Sequence, residues 1–204
     1  MKYSLLTSLF FLSVVCTAQE FQFRSSNRYL LGVKKDRTAS ISVGDIDGDG
    51  DADVVVANGR HWPQQNQVFF NNGRGIFTVS QPLDITSETS YATELADLDG
   101  DGDLDVAVGN DNAPNMLYFN DGMGNFTRGA YFGKRYSSTR NLTLADLDQD
   151  GDVDILITNR GQENEICLND GKGNFAEPIG FGNKNDSTID VEVADIDGDN
   201  DLDL

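Results

Sequence analysis

Asp45-Ile-Asp-Gly-Asp-Gly-Asp-Ala-Asp53 decides the reading of this chain, because the sequence writes it four times. It returns as Asp97-Leu-Asp-Gly-Asp-Gly-Asp-Leu-Asp105, as Asp146-Leu-Asp-Gln-Asp-Gly-Asp-Val-Asp154 and as Asp195-Ile-Asp-Gly-Asp-Asn-Asp-Leu-Asp203. Five carboxylates in nine residues repel one another, so a folded loop of this kind calls for a cation. The candidate ligands are Asp45, Asp47, Asp49, Asp51 and Asp53, then Asp97, Asp99, Asp101, Asp103 and Asp105. The later copies supply Asp146, Asp148, Asp150, Asp152 and Asp154, and Asp195, Asp197, Asp199, Asp201 and Asp203. Side-chain oxygens from positions 1, 3, 5 and 9, with the backbone carbonyl of position 7, make a hard-oxygen cage. Such a donor set suits Ca2+, which takes six to eight oxygens in flexible geometry, better than the strict octahedron of Mg2+. Glycine at position 6 (Gly50, Gly102, Gly151) admits the turn, and Asn200 is the next-best residue there because it tolerates positive φ.

An EF-hand is excluded. Its loop ends in a bidentate Glu at position 12, where this chain carries Val56, Val108 and Ile157, and it needs flanking helices. Here the loop runs into Val54-Val-Val56, Val106-Ala-Val108 and Ile155-Leu-Ile157, apolar runs rich in β-branched residues that read as buried strands.

The nonapeptides start at 45, 97, 146 and 195, spaced by 52, 49 and 49 residues. An alternating strand A precedes each: Ile41-Ser-Val43, Thr93-Glu-Leu95, Leu142-Thr-Leu144 and Val191-Glu-Val193. The apolar run after the loop is strand B, and strand C follows as Val68-Phe-Phe70, Leu117-Tyr-Phe119 and Ile166-Cys-Leu168. The turns Asn71-Asn-Gly-Arg-Gly75, Asn120-Asp-Gly-Met-Gly124 and Asn169-Asp-Gly-Lys-Gly173 are hairpin formers, because their residues accept φ > 0. Strand D then opens with Phe77, Phe126 or Phe175. Four short antiparallel strands per period of about fifty residues predict an all-β chain of β-propeller blades. Three repeats are complete, at 39–87, 88–138 and 139–187, and a partial one occupies 188–204. Residues 19–38, with Phe21-Gln-Phe23 and Tyr29-Leu-Leu31, read as a strand of the closing blade. Three blades with two pieces do not close a ring, so the expectation is a fragment of a larger propeller.

Met1-Lys2, an apolar stretch from Tyr3 to Val15, and small residues at Cys16 and Ala18 predict a signal peptide over 1–18, cleaved after Ala18. A lipoprotein reading through Cys16 is the alternative, weakened by the bulky Val15. The apolar stretch is short for a membrane span and no later segment is a candidate. The expected location is secreted, extracellular or cell surface. After cleavage Cys167 is the sole cysteine, aligned with Phe69 and Tyr118 in the repeat, and reads as a packing residue. A net charge of −19 argues against nucleic acid or an anionic membrane as partner.

These residues resemble the FG-GAP or VCBS repeat family, known from the integrin α-subunit head. Asp-x-Asp-x-Asp-Gly-x-x-Asp matches at 45–53, 97–105 and 146–154, and Gly-x-Gly-x-Phe at Gly73–Phe77, Gly122–Phe126 and Gly171–Phe175. The fourth nonapeptide departs at Asn200. The resemblance implies a propeller of about seven blades and Ca2+ as the cation. The implied role is recognition or adhesion toward an extracellular protein or glycan.

In a meander the A–B loops and C–D turns share one end and the B–C loops the other, which makes the cations structural and the B–C end the candidate recognition surface. Its candidates are Arg60, His61, Trp62, Asn110, Asp111 and Arg160. Trp62 either stacks on a sugar or anchors a protein, or it packs against its own loop. Catalysis finds little support: His61 is the sole histidine and no Gly-x-Ser-x-Gly elbow occurs. A different reading makes the chain the non-catalytic binding part of a larger secreted carbohydrate-active enzyme.

Overall fold

The computed structural model describes residues 31–32 and 35–204. The expected signal peptide, and Phe21 to Leu30 of the expected closing strand, lie outside the described residues. Twelve strands and no helix form among the described residues, arranged as three four-stranded antiparallel sheets. Each sheet is a simple meander, with neighbours in the chain also neighbours in the sheet. Blade 1 holds β1 (Thr38–Gly44), β2 (Asp53–Asn58), β3 (Gln67–Phe70) and β4 (Val79–Pro82). Blade 2 holds β5 (Ser90–Ala96), β6 (Asp105–Asn110), β7 (Asn115–Asn120) and β8 (Phe126–Phe132). Blade 3 holds β9 (Thr139–Ala145), β10 (Asp154–Asn159), β11 (Asn164–Cys167) and β12 (Ile179–Phe181).

The B strands β2, β6 and β10 are buried at all six positions, which is why the residues between their opening Asp and closing Asn carry no charge and are apolar apart from Thr158. Their alternate side chains serve different interfaces. Val106 and Val108 of β6 pack with Val55 and Val68 of blade 1, while Ala107 between them packs with Ile155 and Ile157 of blade 3. Period-two alternation thus becomes two separate cores, one on each face of the middle sheet. Cys167 sits opposite Ile155 in the ladder, as Phe69 sits opposite Val54 and Tyr118 opposite Val106. It is fully buried in the core between blades 2 and 3, where burial pushes its thiol up to about 12. The reading of Cys167 as a packing residue holds.

Each blade carries an irregularity where strand A meets the end of strand B: between Thr38 and Ser40, between Ser90 and Ala92, and between Thr158 and Asn159. An extra residue there bends the inner strand. Two boundaries differ from expectation. Strand D begins two residues late in blade 1, at Val79. In blade 3 Phe175 forms only an isolated bridge with Asn169 ahead of β12. The fourth A strand, expected at Val191-Glu-Val193, does not form a ladder strand; Ala194 makes a single bridge to Asp203. That segment makes the two backbone hydrogen bonds of the bridge, and its Val191 carbonyl accepts from the Thr143 hydroxyl at 2.6 Å, but no ladder forms.

Candidate metal centres and the opposite loop end

The four acidic loops share one backbone scaffold. In the first, both oxygens of Asp45 accept backbone N–H groups, from Gly48 at 3.0 Å and Gly50 at 3.0 Å. Asp97 holds Gly100 and Gly102 and Asp195 holds Gly198 and Asn200 in the same way, while Asp146 holds Gly151 and, in place of position 4, the N–H of Asp150. Position 6 takes the left-handed conformation in every copy, with φ of 88° at Gly50, 95° at Gly102, 97° at Gly151 and 74° at Asn200. Position 4 does so too, including Gln149 with φ 62°, a feature the sequence reading missed. A glutamine at that φ is strained relative to the glycine of the other copies.

Position 9 closes the loop. Asp53, Asp105 and Asp154 are fully buried, and each clamps two backbone N–H groups. Asp105 accepts from Leu98 at 3.0 Å and from Asn120 at 2.9 Å; Asp53 holds Ile46 and Asn71, and Asp154 holds Leu147 and Asn169. One carboxylate thereby ties the acidic loop to the end of strand C. Burial pushes Asp105 up to about 6 against the pull of those two N–H groups. Burial and neighbouring carboxylates also raise Asp47, Asp99 and Asp148 at position 3.

Carboxylate oxygens of Asp45, Asp47 and Asp53 lie within 4.8 Å of one another, as do those of Asp97, Asp99 and Asp101. Asp146, Asp148 and Asp154 form a third group and Asp195, Asp197 and Asp199 a fourth. These clusters could hold a metal ion, and their donors are all hard oxygen. The position-7 side chains point elsewhere. Asp51, Asp103 and Asp152 lie against Gly73, Gly122 and Gly171, where an added Cβ would come within 2.6, 2.6 and 2.5 Å of a carboxylate oxygen. With φ of 74°, 71° and 69° at these three positions, a left-handed backbone as well as the close carboxylate favours glycine, which accounts for the first Gly of Gly-x-Gly-x-Phe.

The loops also bind neighbouring blades together, through residues the sequence reading gave other roles or none. Asn120, the first residue of the blade 2 turn, donates from Nδ2 to the Ile46 carbonyl of blade 1 at 2.8 Å. Asn169 does the same to Leu98 at 2.9 Å. The apolar residue at position 2 follows: Ile46 and Leu98 are buried in the core shared with the next blade, while Ile196, which has no such neighbour, is 77% exposed. The one signal available was the recurrence of Asn at 71, 120 and 169 and of Ile or Leu at position 2.

At the opposite end each B–C loop bridges to the connector entering the next inner strand: Gln64 to Glu88, Asp111 to Ser138 and Arg160 to Ser187. Arg60, His61 and Arg160 are exposed there, and Trp62 is 64% exposed rather than packed on its own loop. Asn110 departs from expectation. It is fully buried, with its amide shared among Pro114, Glu88 and Ser90, so it braces the loop from within. Asp111 is partly buried and paired to Arg140 at 3.1 Å.

Glu94 on β5 is half-buried, and burial together with the charges of Glu192 and Asp190 raises it to about 7. A carboxyl that holds its proton more tightly folded than unfolded adds stability that is complete below about 4.5 and lost as pH rises through about 7. Glu94→Gln is expected to flatten the fall in stability between pH 5 and 8. It should also raise stability at pH 8 by about 1–2 kcal/mol, discounted for solvent screening. Urea melts of the two proteins at both pH values check this; parallel curves would refute it.

The family model for the FG-GAP-like repeat matches three times, over residues 45–108, 97–157 and 146–204. The chain belongs to the FG-GAP-like repeat family. Each FG-GAP match starts on an acidic loop and, in the first two, ends in the B strand of the following blade, the unit that the interblade Asn bonds hold together. Among solved structures, the chain is similar to an Agrocybe aegerita lectin described as specifically recognising non-reducing terminal N-acetylglucosamine. The identity is 28% and the TM-score 0.50, covering 69% of this chain and 37% of the lectin. It is also similar to a Tc holotoxin pore of Photorhabdus luminescens, at 20% identity and TM-score 0.44, covering 79% of this chain and 8% of that one. No curated protein matches. Among the described residues no helix is long and apolar enough to cross a membrane.

Proposed function

We propose that this FG-GAP chain is a calcium-binding β-propeller module, secreted or at the cell surface, that recognises an extracellular glycan or protein without catalysing a reaction. The observation that carries the calcium reading is the four-fold recurrence of one loop, with three carboxylates gathered within 4.8 Å in each copy. The donor set is oxygen only, and position 1 is oriented by two backbone N–H groups before any ion arrives. A bound Ca2+ supplies positive charge that offsets the repulsion among these aspartates and cross-links the loop. Asp45, Asp97, Asp146 and Asp195 would hold it with their position-3 and position-5 neighbours and, in the complete blades, the carboxylates of position 9.

The recognition reading is supported by the likeness to a lectin and by the loop end facing away from the acidic clusters, where cationic and aromatic side chains are exposed. A ring of about seven blades, carried over from the family resemblance, is part of the same proposal. Calorimetric titration with Ca2+ tests the first half, with binding at three or more sites expected and no heat above dilution overturning it. A glycan and protein array probed in Ca2+ tests the second half. A Ca2+-dependent hit on either surface is the expected result, and a blank array with the folded protein counts against recognition.

A further inference from the structure

At the B–C end, Arg60, His61, Tyr91, Arg140, Arg160 and Ser187 surround a cavity of about 510 Å3. These residues come from three successive repeats, so the cavity exists only when the blades are assembled. Its size lies within the ~300–1,000 Å3 range of small-molecule pockets. In a chain of net charge −19 it gathers three arginines, and no carboxylate lines it.

The arginines are not equivalent. Arg140 is fixed: it donates to the Thr139 carbonyl at 2.8 Å, pairs with Asp111, and lies 4.3 Å from the Tyr91 ring centroid. Arg60 and Arg160 form no salt bridge among the described residues. Two guanidiniums held beside a third without a counter-charge repel one another, and a bound anion removes that repulsion. The aromatic wall is fixed as well. The Tyr91 hydroxyl and His61 Nδ1 are 3.2 Å apart and their rings meet edge to face at 6.2 Å. Ile189, which is 75% exposed, adds an apolar surface beside the Ser187 hydroxyl.

Resting on the recognition reading above, we propose that this pocket binds a carboxylate-bearing saccharide, a sugar acid of the uronate class. Arg forks match a carboxylate in bidentate fashion. The exposed His61 ring and the Ile189 side chain offer apolar surface to the sugar C–H groups, and Ser187 a hydroxyl partner. An extended acidic peptide fits less well. It would have to add to the edge strands that carry Tyr91 and Arg140, beside loops already tied by the bridges Gln64–Glu88, Asp111–Ser138 and Arg160–Ser187, and it has no use for the ring surface, so it is the competing occupant that the test separates.

The test is calorimetric titration of the full chain in Ca2+ with a glucuronate disaccharide, its methyl ester and triglutamate. The acid is expected to bind; the ester, which loses one charge-assisted contact, is expected to bind at least about tenfold more weakly, and triglutamate, which keeps carboxylates but has no sugar ring, also more weakly than the acid. Arg60→Gln with Arg160→Gln is expected to weaken binding of the acid about a hundredfold, about tenfold per lost fork. Arg160→Lys, which keeps the charge and loses the fork, falls between. Arg74→Gln on the far end changes nothing, and thermal melts confirm that each variant is folded. Equal affinity for the ester or for triglutamate, no binding of the acid, or an unchanged double variant overturns the assignment. A neutral saccharide bound equally by wild type and the double variant overturns the pocket while the recognition reading stands. Absence of any glycan or protein ligand removes both.

Discussion

Chelation of Ca2+ is expected to lower the melting temperature of this FG-GAP chain by about 4–24 °C. A ligand that binds only the folded state stabilises it by RT ln(1 + [L]/Kd). Extracellular calcium modules bind at about 10⁻⁴–10⁻³ M, so on the calcium proposal each loop would contribute about 0.4–1.4 kcal/mol in about 1 mM Ca2+. Four such loops together would contribute about 2–6 kcal/mol, and a domain of this size shifts by about 2–4 °C per kcal/mol. The sites are coupled to packing as well as to charge. Asn120 fastens the first loop to blade 2, and Ile46 from that loop is buried in the core the two blades share. Loosening a loop therefore loosens a blade interface. Scanning calorimetry in Ca2+ and in EDTA decides the matter; melts within a degree of each other would remove the metal from the account of stability.

The second large effect concerns a carboxylate that acts before any metal does. Asp105 is fully buried and holds the backbone N–H groups of Leu98 and Asn120, one on each oxygen. Asp105→Asn keeps the shape but turns one acceptor into a donor facing a donor. The loss of a charge-assisted bond and the burial of an unpaired amide together cost about 3–4 kcal/mol. That cost persists in EDTA. Asp101→Asn is the informative partner: Asp101 is exposed, and its one backbone bond, from Asp103 at 3.0 Å, is within reach of an asparagine oxygen. It is expected to destabilise only in Ca2+. Denaturant melts of both variants with and without Ca2+ separate the roles, and equal behaviour of the two would refute the division.

The sharpest disagreement between sequence and structure lies in the asparagines. Asn110 in a polar loop reads as a surface donor, yet its side chain is buried and saturated. Asn120 in an Asn-Asp-Gly turn reads as turn chemistry, yet its amide also crosses to the neighbouring blade. In both cases the residue type predicts hydrogen bonding, while the partner lies in a different element or 74 residues away. The fourth A strand failed for a related reason: its alternation is sound, but a strand needs a ladder, and only Ala194 finds one bridge. Gln149 at positive φ shows a limit of residue preference, since a loop pinned by Asp146 imposes its conformation on whichever residue stands there.

The sequence by itself determined what depends on residues close in the chain. The repeat period set the blades, alternation set the faces of each strand, Gly and Asn set the turns, and the aspartate spacing set the loops. Only the tertiary structure decided what depends on residues a blade apart: that position 2 plugs the next core, that position-7 carboxylates face a glycine turn, and that three arginines from two blades meet around Tyr91 of the blade between them. The physical reason is range. A φ preference or a period acts over a few residues and is written locally, whereas a pocket or an interface is fixed by how whole sheets pack.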